Sequence, residues 1–232
     1  MSPTLKLYYC PGSCSLASHI LLTHIQIPFD RVAVSVKAGL PQELNDLNPK
    51  SRVPVLIYND QIITETAAVM TAIAQLAPHQ RLLGSTPMDT VRVYEWCNYL
   101  SGTLHTQAYV GFFRPERFVG DNREIQTVVR QKASETITAC YNHIERTLRQ
   151  HNKQWVVGDG MTIVEPFLYV FWRWGVGCDF ITQGMYPRYE ALMGKVAELA
   201  ATRDVLKVEN QEARVFVGSK TAASDAMQAG SI

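Results

Sequence analysis

The feature that most constrains this chain is a change of pattern near residue 80. Before it, short apolar runs broken by Gly, Pro and Asn alternate with short helical stretches. After it, only helical periodicity remains. LKLYY (5–9) is apolar, aromatic-rich and short enough to be a buried strand. Pro11-Gly12 breaks it, and a helical pattern opens at Ser13 or Cys14 with Ile20, Leu21 and Ile25 as apolar positions. PFDRVAVSV (28–36) alternates like a strand, and LPQELNDLNP (40–49) reads as a short helix stopped by Asn48-Pro49. VPVLIY (53–58), the turn Asn59-Asp60 and QIITE (61–65) form a hairpin pattern, and residues 64–77 read as a helix ended by Pro78. The order β-α-β-α-β-β-α predicts an α/β domain over residues 1–80.

PHQRLLGSTPM (78–88) has the composition of a linker. Residues 89–113 and 122–150 then read as two long helices separated by RPERFVGDN. Thr162-Ile163-Val164-Glu165 matches a capping box, in which the hydroxyl and the carboxylate satisfy free N–H groups at a helix start. The helix it opens runs through FLYVFWRW, and residues 185–208 read as two more short helices. The expected second domain is therefore all-α and spans residues 89–215, with residues 216–232, small and polar, as a flexible tail.

Several function classes lose support at this stage. A formal net charge of +1 gives no basis for nucleic-acid or membrane-surface binding. No run approaches the ~18 apolar residues of a membrane span, and MSPTLKLYYC lacks the apolar core of a secretion signal. A cytoplasmic protein is expected. The five cysteines are an odd number, which argues against a disulfide framework. Cys10 and Cys14 form a Cx3C pair with no second pair to close a tetrahedron, so no metal site is expected.

Three local features bear on chemistry. A cysteine at a helix start, here Cys14, faces unpaired backbone N–H groups and the positive end of the helix dipole, and both favour thiolate. The dipole contributes about 0.3–1 kcal/mol in ordinary cases. That moves a thiol by roughly one pKa unit at most, so ionisation at neutral pH needs a further donor. The hydroxyls of Ser13 and Ser15, or a distant histidine, are the candidates. The competing reading is a small residue at a helix start and nothing more. Cys10 ends an apolar strand and reads as buried and inert.

Pro54 between apolar strand residues is tolerated at a strand start, often as a cis bond. A cis bond there lets Val53 offer its backbone N–H and C=O to an extended peptide ligand. Glu65-Thr66 sits where a strand enters a helix. Free N–H groups and the Thr66 hydroxyl make an anion site, and Glu65 can hold an ammonium, so together they fit both charged ends of an amino acid. A plain helix cap is the alternative.

YYCPGSCSLASHI, NPKSRVPVL and ITETAAVM, in that order, resemble the glutathione S-transferase family and most closely its bacterial-type beta class. The resemblance continues through EWCNYLSGTLH, FFRPE, TIVEPFLYVFWRW and TRDVLKV, covering roughly residues 5–210. It implies a thioredoxin-like N-terminal domain followed by an all-α C-terminal domain that forms the electrophile site. Cys14 becomes the signature cysteine near the glutathione sulfur, with Ser15 beside it. Val53 pairs with the cysteinyl part of glutathione, Pro54 is the cis proline, and Glu65 and Thr66 bind the γ-glutamyl end. His105 reaches across from the helical domain towards the thiol, and Asn98 is at the active site. Their seven-residue spacing is two α-helical turns, which puts both on one face. Thr106 stands where the class commonly has a lysine, and Lys37 is the candidate for the glycyl contact. Tyr109, Phe112, Phe113, Arg114, Trp172 and Arg173 are candidate walls of the electrophile site, most of them ordinary core residues.

The function implied is activation of the glutathione thiol, glutathione being a co-substrate, for attack on a small hydrophobic electrophile, in a homodimer. Cys14-dependent thiol–disulfide exchange is a variant of it. A binding or regulatory protein without turnover, and a glutathione-dependent biosynthetic isomerase on the same fold, are the alternatives.

Overall fold

The structure, a computed structural model, describes residues 3–35, 41–151 and 153–217, with side chains described as far as Asn210. Lys37 and residues 218–232 of the expected tail lie outside the described residues.

The first half builds one mixed sheet. Strand β1 (Leu5–Tyr9) is followed by helix α1 (Ser15–His24), β2 (Asp30–Ala33), the short α2 (Gln42–Leu47), β3 (Val55–Tyr58), β4 (Gln61–Thr64) and α3 (Thr66–Leu76). The strand order is β2-β1-β3-β4. β1 runs parallel to β2, in register Tyr8 with Val32, and antiparallel to β3, in register Leu7 with Leu56. The period of two along β1 sorts its side chains to two faces. Leu5, Leu7 and Tyr9 join the main core under α1 and α3, while Tyr8 and Cys10 join a smaller cluster with Val34, Leu44, Val53 and Val55.

The second half is helical: α4 (Pro87–Asn98), a π-helical stretch (Tyr99–Tyr109), α5 (Val110–Phe113), α6 (Glu116–Val119), α7 (Arg123–His151), α8 (Val164–Gly177), α9 (Pro187–Glu198) and α10 (Ala200–Val217). A 3-10 turn at Pro78–Gln80 bridges the halves. The helix expected over 89–113 differs in two ways. It starts earlier, because Thr86 and Asp89 form a capping box: the Thr86 hydroxyl accepts from Asp89 N–H at 3.1 Å and the Asp89 carboxylate accepts from Thr86 N–H at 3.0 Å. Its middle is π rather than α, with the Thr106 hydroxyl donating to the carbonyl five residues back, Ser101, at 2.8 Å. Hydropathy periodicity has too coarse a grain to register that widening. The expected tail also begins too early, since backbone helix continues through Val217.

Helix α8 starts where Thr162 and Glu165 place it. The Glu165 carboxylate accepts from Thr162 N–H at 2.7 Å and from Val156 N–H at 2.9 Å, and the Thr162 hydroxyl accepts from Val164 N–H at 3.3 Å. Burial pushes the Glu165 carboxyl above its usual range, and those donors pull it back. The helix is buried along most of its length. Gly175 lets it close on α7, since a Cβ there would lie 2.7 Å from the Tyr141 hydroxyl. The main core is continuous across both halves: Leu16 and Ile20 of α1 pack in the same cluster as Phe167, Phe171 and Trp174 of α8.

Candidate active site

The turn after β1 carries Cys14. Gly12 sits at φ +76°, which only glycine adopts without strain, and Cys14 occupies the N-cap of α1. Both sides of Gly12 are held from the helical half. Its N–H donates to the Glu209 carboxylate of α10 at 2.8 Å, and its carbonyl accepts from the Trp174 indole N–H at 2.8 Å. Glu209 Oε1 also lies 2.9 Å from His19 Nδ1 in the α1 core. Ser13 and Ser15 are fully buried and face inward. Their hydroxyls lie 2.7 Å apart, and Ser15 Oγ accepts from Cys10 N–H at 3.1 Å. They brace the turn and do not line the cavity at Cys14, so they are not the thiol's extra donors.

That cavity, of about 290 Å³, lies between the two halves. From the first half it is lined by Cys14, Val53, Pro54, Glu65 and Thr66, and from the helical half by Asn98, His105 and Thr106. The Val53-Pro54 bond is cis. Cys14 Sγ donates to the Val53 carbonyl at 3.5 Å. Glu65 precedes α3 with φ +69° and ψ 126°, a strained conformation for a residue with a side chain. Lys50 Nζ donates to its carboxylate and, at 2.8 Å, to the Thr64 hydroxyl. The carboxylate expected to take a ligand's ammonium thus already holds one from its own chain.

The charge states differ from the expectation of an ionised cysteine. Burial pushes the Cys14 thiol up to about 11; hydrogen bonding to Thr66 opposes this, Glu65 adds to the rise and Arg52 pulls against it. His105 is pulled down to about 4, first by burial and then by the positive charges of Arg52 and Arg117. At neutral pH both are uncharged. His105 rests against Phe171 and Trp174, with ring centroids 6.0 and 5.4 Å away, and its Nε2 is buried without a hydrogen-bond partner among the described residues. Asn98 and His105 do line one cavity, but the two-turn argument for it fails. His105 lies inside the π stretch, where i→i+5 bonding gives a turn wider than the α-helix assumed.

Three polar cavity residues escaped sequence reasoning. Asn48, 2% exposed, donates to the Arg52 carbonyl at 2.8 Å and so shapes the approach to Val53. Arg52 and Arg117 both line the cavity. The only available signal for Arg52 was its place next to Val53-Pro54; nothing singled out Arg117 beside Arg114 in FFRPERF. None of the expected aromatic walls lines this cavity. Tyr109 is core, its hydroxyl 2.6 Å from that of Tyr141, and Trp172 packs on Tyr189.

Comparison with known proteins finds similar chains. Residues 3–75 match the family described as glutathione S-transferase, N-terminal domain. Over 212 residues the chain is 29% identical to the glutathione S-transferase GstA of Escherichia coli O157:H7, covering 88% of this chain and 98% of that protein. A glutathione transferase homologue from Sulfitobacter, solved with bound glutathione, superposes with a TM-score of 0.81 at 27% identity, covering 90% of this chain and 99% of that one. The bacterial beta-class glutathione S-transferase of Sphingomonas chungbukensis gives a TM-score of 0.74 at 25% identity, covering 88% and 98%. The fold is that of a thioredoxin-like domain joined to a helical one: residues 3–75 match the glutathione S-transferase N-terminal domain, and over most of its length the chain is similar to bacterial glutathione S-transferases, a beta-class structure among them.

Proposed function

We propose that the chain is a glutathione transferase in which the thiol of glutathione, not that of Cys14, is the nucleophile. The observation that carries this is the convergence of Cys14, the cis Val53-Pro54 bond, Glu65-Thr66 and His105 on one cavity. Val53, on the cavity wall, pairs its backbone with the cysteinyl part of glutathione. Glu65 takes the γ-glutamyl ammonium in place of Lys50, and Thr66 with the start of α3 takes its carboxylate. The glutathione sulfur then lies by Cys14. A thiol held protonated donates a hydrogen bond and does not itself attack. Neutral His105 has an unused Nε2 to offer, and Arg52 and Arg117 supply positive potential that favours a thiolate. The sulfur attacks a small electrophile held on the helical side.

Homodimerisation belongs to the same reading. Met88, Val91 and Tyr94 lie three residues apart on α4 and are exposed, an apolar stripe that a second copy would cover. No described helix is long and apolar enough to cross a membrane.

Cys14→Ala separates the two uses of sulfur. Conjugation of glutathione to an activated aryl halide should survive within about tenfold, equivalent to roughly 1.4 kcal/mol, the worth of one hydrogen bond. Disulfide exchange through Cys14 should already be slow in the wild type, because that thiol is held protonated. Conjugation falling a thousandfold or more would assign the nucleophile to Cys14 instead.

A further inference from the structure

The charges around the cavity do not cancel, and the remainder points to a class of substrate. Glu65 is paired with Lys50, and Glu116 lies 3.9 Å from Arg114. Two cations lining the cavity are left over, Arg52 and Arg117. Among the described residues neither guanidinium has a hydrogen-bond or ion-pair partner. The two feel each other: burial lowers Arg117 below the usual arginine range, and Arg52 and Arg114 lower it further. Both residues are exposed, so water screens their repulsion; what they leave is a positive potential over one concave space that favours an anionic ligand.

Glutathione accounts for one of them. Arg52 adjoins Val53, on the wall where the peptide backbone would lie, so it is placed for the glycyl carboxylate. The γ-glutamyl carboxylate is served by Thr66 and the start of α3, on the same wall. Arg117 stands on α6, on the helical wall with Asn98 and His105, where the second substrate must sit.

We propose that Arg117 selects electrophiles that carry an anionic group, a carboxylate above all, held by the guanidinium while glutathione attacks. This rests on the glutathione-transferase reading. A planar fork of N–H donors matches a carboxylate in a way that a lone ammonium does not. The chemical step is an addition: the sulfur–carbon bond forms, the carbon–carbon π bond of an enone breaks, and the adjacent carbon takes a proton from water. No oxidant or reductant is needed.

The probes are ethacrynate and its methyl ester, which share one enone and differ in a remote charge. Wild type should prefer the acid in kcat/KM by about tenfold after correction for the uncatalysed rates. Arg117→Met should bring that ratio close to one, through KM for the acid, and Arg117→Lys should keep part of it. A wild-type ratio near one overturns the proposal. So does an Arg117→Met ratio equal to wild type with a raised KM for glutathione, which would give Arg117 to the glycyl end. Failure of the wild type to bind glutathione is a separate result, and it removes the transferase reading itself.

Discussion

The two walls of the cavity are held in opposite ways. The wall from the first half is fixed by backbone. A cis peptide at Val53-Pro54, a positive φ at Glu65 and a glycine turn braced by Ser13 and Ser15 set its shape, and apart from the Arg52 guanidinium its polar side chains named above have partners. The wall from the helical half is built of side chains on a π stretch and a short helix, and there His105 Nε2 and the Arg117 guanidinium have no partner among the described residues. Leaving the buried His105 Nε2 without a partner costs about 1–3 kcal/mol, whereas the exposed Arg117 guanidinium is hydrated. The first wall is a preformed mould for a peptide backbone, and the second is a set of open valences.

The sharpest test of that contrast is Cys14, the thiol of the mould that faces the cavity. A thiol raised to about 11 is thiolate at pH 7.5 in roughly three molecules per ten thousand, against about one in ten for an ordinary cysteine. Alkylation of Cys14 in the ligand-free protein should therefore be a hundredfold or more slower than that of free cysteine. Its rate should climb about tenfold per pH unit towards pH 11. A plateau near pH 7 to 8 would show an ionised cysteine and put nucleophilic chemistry back on the first wall.

His105→Leu probes the open valences. Losing the Nε2 donor should lower kcat for conjugation by about tenfold or more. Stability should not fall, because an apolar group replaces an unsatisfied polar one. The pH profile adds a second signature. With His105 lowered from 6.5 to about 4, the unfolded chain binds a proton over that window and the folded chain does not. Wild type should lose stability as pH falls from 6.5 to 4, by no more than about 3 kcal/mol from this group. His24, also lowered by burial, contributes in the same direction. The slope in chemical denaturation should be shallower in His105→Leu, and an unchanged slope would mean the ring is charged in the folded protein.

The smallest effect is at the clamp between the halves. Glu209→Leu leaves the Gly12 N–H and His19 Nδ1 without their carboxylate, which should cost about 1–3 kcal/mol and lower Tm by several degrees. Glu209→Gln keeps an acceptor for Gly12 and should cost less. Equal losses in both variants would mean that the charge, rather than the hydrogen bond, is what the turn needs.

The same contrast explains what the sequence disclosed. Pro54 and Pro11-Gly12 are residues whose backbone restrictions are written in their covalent structure, and Glu65-Thr66 sits where a strand pattern gives way to a helical one, so strand ends, turn and mould were readable in order. Ser13 and Ser15 were misjudged because a hydroxyl's direction depends on which way the turn rolls, and here it rolls inward. The π stretch from Tyr99 to Tyr109 was invisible because it buries the same apolar residues as an α-helix would. Arg117 was missed for a related reason. A surface arginine and a cavity arginine look alike until the helix carrying them is placed opposite something.

Glutathione titration by calorimetry, on wild type and on Glu65→Ala, tests the account most directly. The account predicts one site per chain, with affinity about tenfold or more weaker in Glu65→Ala. Absence of binding to the wild type, or binding that Glu65→Ala leaves untouched, would contradict it.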